Sequence, residues 1–231
     1  MIKSTVIIPA RGGSKRIPGK NRRRFNGLPM LEWPIRSSRD AQSVNEVVVS
    51  TDDDEIARIS KDAVVHEVIM RPRDLATDTA ATAPVIRHAI DYLELADESI
   101  VVCVYPTAAI TTSLVEQAVE LSSERPESFV VSVGQHSSPL QRALELNADG
   151  SMSAVSPEFL GSRTQDLPNH FYDAGKIYAA PASLWRSSET MMSAPFTPFF
   201  LPRWASVDID NPEDWEIAEA LHRVFVLGES T

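Results

Sequence analysis

The chain has a single cysteine, Cys103, in 231 residues, and this scarcity removes an internal disulfide and any cysteine-built zinc centre. Its five histidines, His66, His88, His136, His170 and His222, are scattered without the spacing of a metal site. No apolar run approaches the roughly 18 residues that a membrane-crossing helix needs. The opening MIKSTVIIPARGG offers too short an apolar stretch for a secretory signal before Arg11 ends it. Together these lacks lead us to expect a cytosolic protein with no membrane partner. Cationic residues are also in deficit, 22 Lys and Arg against 32 Asp and Glu, for a net charge of -10. Such a surface repels phosphate polymers except at a local patch, so general nucleic-acid binding is not expected.

What is present is a strand and helix alternation. Thr5 to Pro9, Glu46 to Thr51, Ser99 to Tyr105 and Ser128 to Val133 are short β-branched runs, the pattern of strands buried on both faces of a parallel sheet. Helical stretches lie between them at Asp53 to Ala63, Ala80 to Leu95 and Ser113 to Ser122. A further helix is read from Pro29 to Ala41, shortened or bent by Pro34. The fold expected is α/β: a doubly wound, mostly parallel, Rossmann-like sheet whose ligands sit at the carboxyl ends of its strands. After Gly134 the pattern changes. Gln141 to Leu146 and Ser151 to Val155 flank the turn Asn147-Ala148-Asp149-Gly150, and Phe171 to Ala180 reads as another strand. We take 1–231 as one domain with a β-rich excursion over 135–170. The chain closes with a strand from Trp204 to Ile209 and a helix from Pro212 to about Phe225, capped by Asn211.

One stretch runs against the acidic whole. VIIPARGGSKRIPGKN packs Arg11, Lys15, Arg16 and Lys20 among Gly12, Gly13 and Gly19, directly after the first strand. A glycine-rich loop there presents backbone N–H groups to an anion, and the cations add countercharge. The dinucleotide fingerprint fails on glycine spacing. The P-loop fails too, with five residues from Gly13 to Gly19 and Asn21 after Lys20. Far down the chain, VDIDNPEDW sets Asp208 and Asp210 two apart on the expected strand, both facing one side. Side-by-side carboxylates suit an oxygen-seeking Mg²⁺; Asp210 could instead serve only to start the last helix. Asp52, Asp53, Asp54 and Glu55 read as the acidic first turn of a helix and not as a metal cluster, and Cys103 reads as core packing.

ARGGSKRIPGKN resembles the signature of the CMP-sialic acid synthetase group, the cytidylyltransferases that activate nine-carbon sugar acids. The resemblance implies that Arg11 and Lys20 hold the triphosphate of CTP, that Ser14 and the Gly12-Gly13 backbone lie on phosphate, and that Ala10 and Asn21 lie along the nucleoside. It implies Mg²⁺ on Asp208 and Asp210. SSPLQRALEL, SRTQDLPNHFYDAGKIY and VYPTAAI resemble the pseudaminic acid cytidylyltransferases within that group, nearly end to end. There are departures: Lys176 stands where that pattern has Gln, and Ile177 and Ala179 replace aromatic residues. An acceptor sugar acid carries a carboxylate, which Arg clamps well; Arg71, Arg142 and Arg163 are candidates, with the motif context favouring Arg163. Gln141, Gln165 and Tyr178 are candidates for its hydroxyl and acylamino groups. The resemblance further implies a homodimer paired through the excursion. The function expected is transfer of CMP from CTP to pseudaminic acid or a stereoisomer, releasing pyrophosphate. The alternatives are N-acetylneuraminic, legionaminic or a 3-deoxy-octulosonic acid as acceptor, or a nucleotide-sugar binding protein without turnover.

Overall fold

The computed structural model describes residues 3–77, 80–192 and 195–229. In chain order its elements are β1 (Ser4–Pro9), β2 (Arg24–Phe25), β3 (Leu28–Pro29), α1 (Glu32–Arg39), β4 (Glu46–Thr51), α2 (Asp54–Asp62), β5 (Glu67–Met70), α3 (Thr82–Tyr92), β6 (Ile100–Val104) and α4 (Thr112–Glu124). There follow β7 (Phe129–Gln135), β8 (Leu144–Leu146), β9 (Met152–Ala154), β10 (Phe171–Pro181), α5 (Ala182–Ser187), β11 (Phe196–Phe200) and α6 (Pro212–Phe225). Seven strands form one sheet in the order β11-β7-β10-β6-β1-β4-β5. Every pairing is parallel except those of β10, which runs antiparallel to both β6 and β7.

The continuous apolar runs are covered on both faces, as parallel strands require. In β1, Val6 and Ile8 face a core completed by Leu31, Ile35, Ile56, Ile59, Leu114 and Val115 of α1, α2 and α4. Ile7 points the other way, into a core with Ile86 and Ile90 of α3 and Trp185 of α5. A third, smaller core joins Ile17 of the opening loop, Phe25 and Met30 of the β2–β3 region, and Ile209 and Trp215 at the chain's far end. The β2–β3 hairpin turns on Asn26 and Gly27, both at positive φ, the conformation such tight turns demand.

The main sheet was legible, with exceptions. The expected strand from Trp204 to Ile209 is not a strand. Ala205 and Ser206 N–H groups bond back to the Pro202 carbonyl, folding the segment into turns, and the place beside β7 goes to Phe196–Phe200. That run contains Pro198, which an edge strand tolerates and an interior strand does not. Gln141 lies in a single 3₁₀ turn, Leu140–Arg142, so the first strand of the excursion starts only at Leu144. Pro34 falls in the first turn of α1, where its missing N–H costs no helical bond, so α1 is shortened to Glu32–Arg39. Asn211 caps α6 through a reciprocal capping box with Asp214.

The chain leaves β1, builds outward through β4 and β5, and returns to β6 on β1's other side. The carboxyl ends of β1 and β6 therefore flank the point where strand order reverses, the general site of ligand crevices in open α/β sheets.

Candidate active site

A cleft of about 450 Å³ opens at this reversal point. It is lined by the opening loop, by Arg71 after β5, by Tyr105 to Thr107 after β6, by Gly175 and Lys176 of β10, and by Asp208 to Asp210.

The loop's shape follows from its residues. A Cβ at Gly12 would stand 2.5 Å from Oδ2 of Asp53, so only glycine fits against the start of α2. There the Gly12 N–H donates to Asp52 Oδ1 at 3.0 Å, while Asp53 caps α2 through the N–H groups of Glu55 and Ile56. Gly19, at φ +66°, turns the chain back, and its carbonyl accepts the N–H groups of Arg22 and Arg23. Asn21, almost fully buried, ties the loop's two ends by donating to the Arg11 carbonyl at 2.9 Å. Ile17, wedged in the third core, fixes the height of Arg16 and Lys20 above the sheet.

Two ammonium groups and two carboxylates converge at one end. Lys20 Nζ donates to the Ile209 carbonyl at 2.9 Å. Lys176 Nζ lies 3.5 Å from Asp208 Oδ1, and Arg16 pairs with Asp210. Burial lowers the pKa of Lys20 below its ordinary value, and the neighbouring Lys176 lowers it further against the pull of Asp208 and Asp210. Lys176 is lowered mainly by burial, with Asp208 acting in opposition. For Asp208, burial acts to raise the carboxyl's pKa, but Lys176, the Ile209 N–H and Lys20 outweigh it and hold it below the usual range. At the other end, Arg71 is held below its ordinary value by burial, with Asp52 opposing and Arg11 reinforcing. Its Nη2 donates to the Ser50 carbonyl, and its Nε has no hydrogen-bond partner among the described residues. The arrangement can take a polyanion, for which Arg11, Lys20 and Lys176 line the cleft as countercharge.

Of the residues singled out from sequence, Arg11, Ser14, Lys20, Asn21, Arg71, Asp208 and Asp210 line the cleft. Ala10 is fully buried behind it, its N–H donating to the Ser50 carbonyl. Asp208 and Asp210 reach the cleft from an irregular segment and not from one face of a strand, each directed to a different cation. Tyr178 is buried against Tyr105, and its hydroxyl donates to the Asp173 carboxylate at 2.7 Å. Gln141, Arg142, Arg163 and Gln165 sit in the excursion and do not line this cleft. Arg142 donates to the carbonyls of Leu160 and Ser162, and Arg163 pairs with Asp166. Lys176 and Arg16 went unassigned at the sequence level. A lysine inside an otherwise apolar strand was the available signal, since an unpaired lysine is almost never buried.

The cytidylyltransferase family model matches residues 5–148. The chain is 32% identical over 226 residues to a pseudaminic acid cytidylyltransferase of Campylobacter jejuni, covering 96% of this chain and 97% of that protein. It is 33% identical over 229 residues to the CMP-N,N'-diacetyllegionaminic acid synthase of Legionella pneumophila, covering 94% of each. Among solved structures, a CMP:2-keto-3-deoxy-manno-octonic acid synthetase complexed with CTP superposes with a TM-score of 0.68 at 20% identity, over 95% of this chain and 98% of that one. A 4-diphosphocytidyl-2C-methyl-D-erythritol synthase gives the same TM-score at 14% identity, over 96% and 99%. With a sheet that reverses at β1, a cationic loop on the reversal point and these likenesses along nearly its whole length, the chain belongs to the cytidylyltransferase family.

Proposed function

We propose that the protein transfers CMP from CTP to a nonulosonic acid, with pseudaminic acid as the acceptor and pyrophosphate as the second product. The observation that carries this reading is the convergence of Arg11, Lys20, Lys176, Asp208 and Asp210 in one cleft at the carboxyl ends of β1 and β6. The near-complete coverage of the Campylobacter relative supports the choice of acceptor.

In the reaction the acceptor's anomeric hydroxyl attacks the α-phosphorus, a new P–O bond forms, and the bond to pyrophosphate breaks in line. Catalysis is then positioning and charge neutralisation. Arg11 and Lys20 meet the charge that grows on the departing pyrophosphate, and Ser14 stands beside them to donate to a phosphate oxygen. Asn21 and the backbone near Ala10 read the cytosine side. Asp208 and Asp210 are hard oxygen donors open to the cleft, and they would hold Mg²⁺ there. The ion would supply Lewis-acid charge at the reacting phosphate.

Arg71 is the one of the three arginine candidates that lines the cleft, and we assign it to an anionic or polar group of the bound substrates. Arg142 and Arg163, with Gln141 and Gln165, belong in our reading to the pocket of a second copy, reached across a homodimer. The excursion supports this: Leu144, Leu146, Met152 and Val155 on it are each more than half exposed. A lone cysteine, Cys103, suits a reducing compartment, and we place the reaction in the cytoplasm.

The test supplies CTP and Mg²⁺ with a panel of pseudaminic, legionaminic and N-acetylneuraminic acids and follows pyrophosphate release. Fastest turnover with pseudaminic acid is expected. Preference for legionaminic acid would move the assignment toward the Legionella relative, and no release with any acceptor would overturn it.

A further inference from the structure

The floor of the cleft carries a cation, Lys176, whose burial and pairing with Asp208 go beyond what countercharge to phosphate requires. Lys176 lies within β10, and its N–H and that of Ile177 both donate to Ser132 Oγ, at 3.2 and 2.9 Å, which fixes the backbone at that point. Its side chain is only 4% exposed, whereas the Asp208 side chain it meets is 69% exposed. A buried ammonium is costly unless a counter-ion answers it, and Asp208 is the carboxylate at salt-bridge distance. Lys20 stands nearby, but it is bonded to the Ile209 carbonyl and repels Lys176. The second carboxylate is held differently. Asp210 pairs with Arg16, whose side chain is 70% exposed, so water screens that pair and the arginine can swing away at little cost. The two aspartates of one short segment are therefore unequal: Asp208 is answered by an anchored cation and Asp210 by a mobile one.

We propose that Lys176 is a built-in counter-ion that withholds Asp208 from divalent cations while the cleft lacks nucleotide. When a triphosphate enters, the ammonium passes from the carboxylate to a phosphate oxygen, and Asp208 is released to join Asp210 around a metal ion. Metal then assembles in the cleft with the nucleotide and not ahead of it. Lys176 acts through Asp208 and is a positioning residue. The proposal rests on the nucleotide assignment above, but it is tested without any sugar acid.

The experiment measures Mn²⁺ binding to the whole protein by electron paramagnetic resonance of the free ion, first without nucleotide and then with saturating CTP. Lys176→Gln keeps a polar group of similar length and removes the charge; Lys176→Met serves the same purpose should the first variant melt early. Without nucleotide, either variant is expected to bind Mn²⁺ roughly tenfold or more tighter than the parent, since a unit charge close to a carboxylate is removed. Adding Asp208→Asn to Lys176→Gln is expected to erase that gain. With CTP bound, the parent is expected to reach or exceed the variant's affinity. Unchanged Mn²⁺ affinity in both variants without nucleotide overturns the proposal. So does a gain that survives Asp208→Asn, which would mark a general field and not a held carboxylate. A variant that keeps its advantage with CTP bound overturns the release step. Because no acceptor is present, failure of the sugar assignment leaves these results intact, and failure here leaves pyrophosphate release untouched.

Discussion

The lysine and aspartate end of the cleft and the excursion over 135–170, which holds only the short strands β8 and β9 and three 3₁₀ turns, differ in how their polar residues are held. At the first, side chains from distant segments converge: Lys20 on Ile209, Lys176 on Asp208, Arg16 on Asp210. In the excursion, Arg163 pairs with Asp166 three residues on, and Asn147, Asp149 and Ser151 bond one another around a turn. Its apolar side chains meanwhile stay exposed, with Leu146 at 69% and its cross-strand partner Met152 at 57%. The first region is a finished cleft lining within one chain. The second is a folded shape whose apolar face is left unburied, and burial of such a face is the main source of association energy.

The contrast breaks most readily at the aspartates. If the finished end performs the chemistry, Asp208→Asn and Asp210→Asn should each lower kcat about 100-fold or more, because several kcal/mol of charge stabilisation depend on them. The melting temperature of Asp210→Asn should stay near the parent's, while Asp208→Asn, which leaves the buried Lys176 ammonium unanswered, should melt a few degrees lower; rates within twofold of the parent at saturating Mg²⁺ would remove them from the mechanism. Lys20→Ala should weaken CTP binding by roughly 10- to 100-fold, the range for one charge-assisted contact. Isothermal titration decides it, and parental affinity would mean that the loop has been misread.

A smaller effect should come from the unfinished region. Replacing Leu146 by Asp together with Met152 by Lys places opposite charges across the hairpin, which keeps β8 paired with β9 while making its face polar. Sedimentation should show a monomer, KM for the sugar acid should rise roughly tenfold, and CTP affinity should hold. A dimer with unchanged KM would show that the excursion serves neither role.

The smallest effect lies beneath the loop. His222 is buried against Phe25 and Trp33, and burial lowers its pKa from the ordinary 6.5 to about 4. Above pH 6.5 the ring is neutral whether the chain is folded or not. Below it the unfolded chain takes up a proton that the folded one resists, so stability is lost as pH falls from 6.5 toward about 4. Thermal melts across that window should show a slope that His222→Gln makes shallower by a few degrees overall. Equal slopes in parent and variant would show that the ring is already solvated.

The two regions were also unequally legible in the sequence. β1, β4, β6 and β7 announced themselves as β-branched runs, because burial on both faces leaves no room for polar alternation. β11 did not, since FTPFF carries a proline that an interior strand would reject, and only its edge position explains it. Trp204–Ile209 looked like a strand by local composition, but turn bonds to Pro202 prevailed. Of the site, the cationic loop was readable from its spacing and charge; the two aspartates stood out as a pair, but the strand face expected to align them does not form, and they reach the cleft from an irregular segment. Which cation answers which aspartate was not, because Lys176 and Asp208 meet only once β10 has crossed into the middle of the sheet.

The third core, joining Ile17, Phe25 and Met30 to Ile209 and Trp215, has a bearing on how the protein is made. It joins residues 17–30 to residues 209–215, and the Lys20 to Ile209 hydrogen bond spans 189 positions. A ribosome delivers the chain from the N-terminus, and domains fold as their parts emerge. The cationic loop therefore emerges well before its carboxylate neighbours. Contacts of such long sequence separation are slow to close. The cleft is thus complete only after residue 210 has emerged: a nascent chain halted before Asp208 would carry the loop without the segment that completes its cleft.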